Sequence, residues 1–234
     1  MGVSQTVRQR VHDELRNEII AAASRALAEQ GAPALSLRSV ARDLGMAPSA
    51  LYRYVKSRDE LLTLLIVNAY EDLGASLRQA AGGQAACGQA GSLRERYLAA
   101  AWQLRAWAFD HPQEWALLYG SPVPGYEAPE LTLPAATEVH RVFIGLMERA
   151  ADAGDLRPPA GPPASKKAKK SVAVIADALP TTLDRPAVLA ALLAASQLFG
   201  AVSMELFGHF EGGMSDPGAV YEYLIETVAD RVGL

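Results

Sequence analysis

Apolar side chains recur along this chain at helical spacing, and no stretch shows a convincing two-residue alternation. From Arg8 to Gln30, the positions Leu15, Ile19, Ala22, Ala23, Ala26 and Leu27 line one face of a helix, and Gly31 suits its end. Ser36 can cap a short helix from Leu37 to Leu44, with Gly45 supplying the left-handed conformation of a tight turn. Pro48 fits the first turn of another helix through Tyr54, where its missing N–H costs nothing. Ser57-Arg58-Asp59-Glu60 reads as a capping box that opens a helix to about Gln79. That helix carries Leu61, Leu62, Leu64, Leu65, Ile66, Val67, Tyr70, Leu73 and Leu77 on nearly every side, which predicts that it is buried.

Beyond a loose Gly-, Ala- and Gln-rich stretch from Ala80 to Gly91, Ser92-Leu93-Arg94-Glu95 is a second capping box and opens a helix to about Phe109. A short helix from Gln113 to Tyr119 leads into turns between Gly120 and Tyr126, and another helix covers Leu133 to Ala151. Leu156 to Lys170, rich in Pro, Ala and Lys, is expected to be a flexible loop. Asp184-Arg185-Pro186 opens a long apolar helix to about Phe210, and Asp216-Pro217 caps the last, Gly218 to Val232. The predicted fold class is all-α, with a small N-terminal module over residues 1–58 and a larger helical domain over 59–234.

Composition narrows the function classes. The 234 residues are 50% apolar and 21% charged, which is too apolar for a disordered chain and enough for one or two packed cores. A single cysteine, Cys87, excludes a disulfide framework and a cysteine-built metal site, and fits a reducing cytosol. Met1 to Asn17 is polar, with no apolar signal segment, and the richest apolar stretch, taken as Leu61 to Tyr70, is about half of a bilayer span. These features predict a soluble cytoplasmic protein with no membrane partner. Charge is unevenly placed: Met1 to Arg58 holds nine basic and five acidic residues, a net +4 in a chain of −4. A basic head on an acidic body points to a polyanion-binding module.

The segment from Ser36 to Leu62 has the physics of a helix-turn-helix. Leu37, Val40, Ala41 and Leu44 can pack against Leu51 and Val55, leaving Ser49, Ala50, Tyr52, Arg53 and Tyr54 toward solvent, with Lys56 and Arg58 beyond. Small side chains allow entry to a major groove, while Tyr, Lys and Arg suit phosphates. The stretch Gly45 to Leu62, with its Leu-Tyr-x-x-x-x-x-Arg-Asp-Glu-Leu-Leu spacing, closely resembles the recognition segment of tetracycline-repressor (TetR) family regulators. The resemblance implies sequence-specific binding of double-stranded DNA at an inverted-repeat operator by a homodimer, most simply as a repressor. It places Ser36, Arg38, Ser49, Ala50, Tyr52, Tyr54, Lys56 and Arg58 where family members touch DNA. Tyr52 and Tyr54 also fit a plain packing role at a domain seam.

The body resembles a subgroup whose C-terminal domain is named for a Trp-His-Gly signature, through Trp107 to Pro112, Leu117 to Tyr126 and Gln197 to Gly208. Ala195 and Phe199 stand where Trp and His would be expected, and Gly200 remains. The resemblance implies an effector, and the concentration of Trp102, Trp107, Trp115, Tyr119, Phe143, Met147 and Phe199, with His111 as a polar neighbour, suits a small apolar one. The same residues equally fit a helical core. A second reading keeps the DNA-binding head and dispenses with a small-molecule effector. Glu205, inside an otherwise apolar helix, calls for a partner. The helix containing Phe143 and that from Pro186 to Phe210 are the expected dimer interface.

An enzymatic reading meets little support. Asp110 and His111 are neighbours on a helix, where side chains diverge by about 100°, and no nucleophile motif, phosphate loop or metal spacing accompanies them. No cofactor or metal is expected. Lys166-Lys167-Ala168-Lys169-Lys170 reads as a solvated charge run on the body.

Overall fold

The computed structural model describes residues 7–82, 91–160, 162–173 and 179–234, and among them there are helices and turns but no strand. The helices are α1 (Val7–Ala34), α2 (Leu37–Asp43), α3 (Pro48–Leu51), α4 (Arg58–Gly82), α5 (Leu93–Asp110), α6 (Pro112–Tyr119), α7 (Leu133–Asp152), α8 (Lys166–Ser171), α9 (Arg185–Leu206) and α10 (Pro217–Val232), with a 3-10 turn at Glu130–Thr132. The loose stretch expected around Cys87 falls largely on residues 83–90, outside the described residues.

The chain forms two compact units, one of residues 1–71 and 111–135, the other of residues 72–110 and 136–234. They are drawn differently from the expected division after residue 58. The first unit recruits α6 and the turns that follow it. Helix α6 packs on α1, and the Tyr126 hydroxyl meets that of Thr63 at 2.9 Å.

The core of the first unit is the one its pattern predicts. Ile19, Ala22, Ala23 and Leu27 from α1 meet Leu37, Val40 and Ala41 from α2, Leu51 and Val55 around α3, and Leu61, Leu62 and Leu65 from α4. Leu15, Ala26 and Leu44, expected on the same packed faces, are only half-buried. Helix α1 is interrupted at Gly31, whose φ of 72° lies in the left-handed region that glycine adopts without steric cost.

In the second unit, α9 packs on α5, α8 and α10, and α10 packs on α5. Ser92 and Glu95 form the predicted reciprocal box at the start of α5: Ser92 N–H donates to Glu95 Oε2 (2.7 Å) and Glu95 N–H to Ser92 Oγ (3.2 Å). Asp184 and Asp216 cap α9 and α10 through the backbone N–H groups of Ala187 and Ala219.

Four details differ from the sequence pattern. The expected loop from Leu156 to Lys170 ends in α8, because Ser165 accepts from Ala168 N–H at 3.1 Å and Lys169 and Lys170 suit the negative end of the helix dipole. Helix α9 stops at Leu206 rather than Phe210, where the chain turns through Gly208 at φ 77°. The longest apolar helix is α9 rather than the start of α4. By length and composition alone α9 could cross a membrane, yet it lies packed among α5, α8 and α10. Helix α3 is a single turn, for reasons given below.

Candidate nucleic-acid interface

The interface is built from the caps and turn of residues 36–60. Ser36 Oγ accepts from Ser39 N–H (3.1 Å), and Ser39 Oγ accepts from Ser36 N–H (3.3 Å), so the start of α2 is closed by two small hydroxyls. Gly45 then takes φ 63° with open space where a Cβ would stand, so the need for glycine there is conformational rather than steric. Pro48 occupies the first turn of α3. Past Leu51 the backbone tightens into three-residue bonds, Arg53 N–H to the Ala50 oxygen (3.2 Å) and Tyr54 N–H to the Leu51 oxygen (2.9 Å). The recognition segment is therefore one α turn followed by a tighter one.

On this frame Arg38, Ser49, Tyr52, Arg53 and Lys56 are exposed, and Ala50 is half-buried beside them. Tyr52 keeps 45% of its surface accessible although it is large and partly apolar. Among the described residues no carboxylate lies within 4 Å of the side-chain nitrogens of Arg38, Arg53 or Lys56, so none of the three is ion-paired among them. Tyr54 is half-buried and its ring lies 5.1 Å from that of His12.

Two predicted contacts are committed elsewhere. The Ser36 hydroxyl serves the cap just described. Arg58 is half-buried, and its guanidinium donates to the Ala32 oxygen (2.8 Å, Nη2) and the Leu35 oxygen (3.2 Å, Nε). It thereby satisfies two carbonyls where the chain leaves α1. The capping box at Ser57 is also shifted. Glu60 N–H donates to Ser57 Oγ (3.1 Å), but the Glu60 carboxylate reaches back to Lys56 N–H (2.7 Å) rather than to Ser57. This fixes the backbone on which the Lys56 side chain stands.

The residues proposed from composition as effector contacts are shared between the units. In the first unit Trp115 is fully buried, Tyr119 lies tilted against it at 4.6 Å, and Tyr70 meets Tyr119 edge-on at 6.0 Å. Burial pushes the Tyr119 hydroxyl well above the usual tyrosine range. His111 is the N-cap residue of α6 and makes no side-chain cap bond to it.

In the second unit Trp107 is buried and donates its indole N–H to Asp72 at 2.6 Å. Phe143 and Met147 are buried in the core, Phe143 edge-on to Tyr97 at 5.1 Å. Phe199 is half-buried beside His140, rings 5.4 Å apart. Trp102 is 37% exposed and meets Tyr221 edge-on at 5.4 Å. Glu205 has the partner its apolar helix calls for. Arg105 donates Nε–H to Glu205 Oε2 at 2.7 Å and Nη2–H to Oε1, and its guanidinium lies 4.7 Å from the Phe109 ring. Neither Asp72, Arg105 nor His140 is marked by the sequence pattern as a member of such a pair, since each partner comes from a distant element.

A helix-turn-helix whose outer edge carries exposed Arg, Lys and Tyr on an all-α chain defines a DNA-binding regulator. Residues 19–65 match bacterial regulatory proteins of the tetR family, and residues 97–228 match the tetracyclin repressor-like C-terminal domain. The chain is 39% identical over 220 residues to the HTH-type transcriptional regulators Rv1816 of Mycobacterium tuberculosis and Mb1846 of Mycobacterium bovis, covering 92% of this chain and 91% of theirs. Its fold matches the crystal structure of the regulatory protein SCO4313 with a TM-score of 0.75 and 33% identity, over 95% of this chain and 98% of that one. A tetR-family regulatory protein from Rhodococcus RHA1 shares the fold at a TM-score of 0.58 and 20% identity. The chain belongs to the tetR family of bacterial regulatory proteins: it is a DNA-binding transcriptional regulator rather than an enzyme.

Proposed function

We propose that the protein is a cytoplasmic, dimeric repressor that reads an inverted-repeat operator and leaves it when a small apolar effector occupies the body. The observation that carries the DNA-reading part is the outer edge of the head, where Arg38, Arg53 and Lys56 stand exposed, with no ion-pair partner among the described residues, around the small side chains Ser49 and Ala50. Small groups admit the segment to a groove, and the cations supply the phosphate contacts that set register.

Dimerisation is supported by exposed apolar groups on α9 and α10, with Leu193 58%, Met204 47%, Val220 46% and Tyr223 75% accessible. Phe143 of α7 is buried in its own core, so this support rests on α9 and α10 rather than on α7. A two-fold pair of heads suits half-sites about 34–36 Å apart. The effector reading is supported by the tetracyclin repressor-like match of the body. A ligand that prefers the DNA-incompetent form by about 1–3 kcal/mol lowers operator affinity about 5–150-fold.

Selection of bound duplexes from a random pool at about 150 mM salt tests the reading, since salt sets the non-specific background. Recovery of an inverted repeat with half-sites about one turn apart is expected. Sequence-blind recovery would overturn operator recognition, and a monomer in sedimentation at micromolar concentration would overturn the dimer. If no apolar compound in a panel raises the thermal midpoint, the regulator without a small-molecule effector takes its place.

A further inference from the structure

The second unit holds a polar cleft of about 520 Å³ where the end of α4, the start of α5 and the outer face of α7 converge. Four arginines line it: Arg78, Arg96, Arg141 and Arg149. Arg78 pairs with Glu138 at 3.2 Å, and Arg141 is tied to the Pro180 oxygen at 2.8 Å. Arg96 and Arg149 line the cleft beside them. Arg96 directs Nε–H to the Ala81 oxygen at 2.5 Å, a neutral partner at the end of α4, and no carboxylate lies within 4 Å of Arg96 or Arg149 among the described residues. Glu148, which also lines the cleft, accepts the Thr182 N–H at 3.1 Å.

We propose that this cleft is a binding site for a small molecule with a single oxyanion head, a carboxylate or a phosphate, held between the Arg96 and Arg149 guanidiniums. The Arg96 and Arg149 guanidiniums repel each other, and an anion between them converts that repulsion into two charge-assisted forks. Partial desolvation first, and the Arg96 charge second, hold the Arg149 guanidinium below the usual arginine range against an opposing pull from Glu148. The carboxylates of Glu138, Glu148 and Asp152 on the walls repel a polyanion and so exclude a nucleic acid backbone. Ala81 and Val142 add an apolar surface for the rest of the ligand. The site lies within the second unit and stands whether or not the buried aromatics take an apolar effector.

The test is thermal unfolding of the full-length protein with inorganic phosphate in one arm and benzoate in the other, each against chloride at equal ionic strength. In one arm at least, the midpoint rises by about 3 °C once the anion exceeds its dissociation constant about tenfold, and the stronger arm identifies the head group. R149M and R96M each abolish the rise. Arg149 is exposed, so R149M folds, and R149K, which keeps the charge, retains part of the response. R38M, which removes a cation from the DNA-facing edge, leaves the rise intact. No rise over chloride in either arm, a rise that persists in R149M and R96M, or one abolished by R38M would overturn the proposal. None of these results depends on operator binding, which is read separately by duplex selection.

Discussion

Arg58 holds the exit of α1: its guanidinium donates to the Ala32 oxygen at 2.8 Å, and a second arm reaches the Leu35 oxygen at 3.2 Å. Its spacing beside the recognition segment marks it for phosphate, but its reach across the chain makes it a brace within the head. Replacing it with Ala removes both charged bonds and leaves the Ala32 oxygen only the Leu35 N–H at 3.3 Å, a loss of about 2 kcal/mol in unfolding free energy. Denaturant titration of R58A measures that loss. Salt dependence of DNA binding in R58A is expected to keep the wild-type slope. A slope reduced by one at unchanged stability would return Arg58 to the DNA.

Lys56 makes the opposite case. Its side chain is exposed and has no ion-pair partner among the described residues, whereas its backbone N–H is engaged by Glu60 at 2.7 Å. K56A is expected to leave stability within about 0.5 kcal/mol of the parent. It should weaken all duplexes alike and lower the salt slope by about one. Binding isotherms at several salt concentrations on specific and scrambled duplexes check both parts. Selective loss on the specific duplex alone would assign Lys56 to base reading instead.

The contrast between these two cations shows what the chain reveals on its own. Local relationships were legible: the Ser92–Glu95 box, the Asp caps of α9 and α10, the positive φ at Gly45 and the core of α1, α2 and α4 all follow from spacings of a few residues. So was the DNA-binding class, because its motif is contiguous. Relationships closed by tertiary packing were not legible. Arg58 reaches back 26 residues to Ala32, Trp107 finds Asp72 across 35, and Arg105 finds Glu205 across 100. Composition likewise grouped aromatic residues that the fold divides between two units. The one-turn α3 was missed because propensity extends a helix through Tyr54, whereas the bonds after Leu51 tighten.

Glu205 and Arg105 form the most enclosed ion pair among the described residues, with side chains 10% and 24% exposed. Removing one partner strands the other in a low-dielectric setting, so E205A and R105A are each expected to cost about 3 kcal/mol. The double replacement by Met removes both charges and should cost less than either single change, a coupling that a double-mutant cycle in urea reads directly. Neither residue is among the DNA-facing cations of the head, so under conditions where each variant remains folded the salt slope of DNA binding should equal that of the parent. Strict additivity of the two losses would show that the pair contributes no mutual stabilisation.

His140 gives stability a pH dependence of definite sign. Burial lowers its pKa below the ordinary 6.5, only partly opposed by the bond between Nδ1 and the Ala136 oxygen at 3.2 Å. Its ring lies edge-on to Phe199, an apolar neighbour that offers an imidazolium no counter-charge. The folded state therefore binds the proton less readily than the unfolded chain does. Above pH 6.5 neither state is protonated and the residue adds no slope. As the pH falls through 6.5 toward the lowered native value, the unfolded state gains protons first, and stability is lost across that window. Urea titrations at about pH 7.5 and about pH 5.5 should show a smaller unfolding free energy at the lower pH, and H140F should recover part of the difference while keeping the contact with Phe199. A parent and H140F that lose equal stability over that range would mean that His140 is protonated as easily in the native protein as in the unfolded chain.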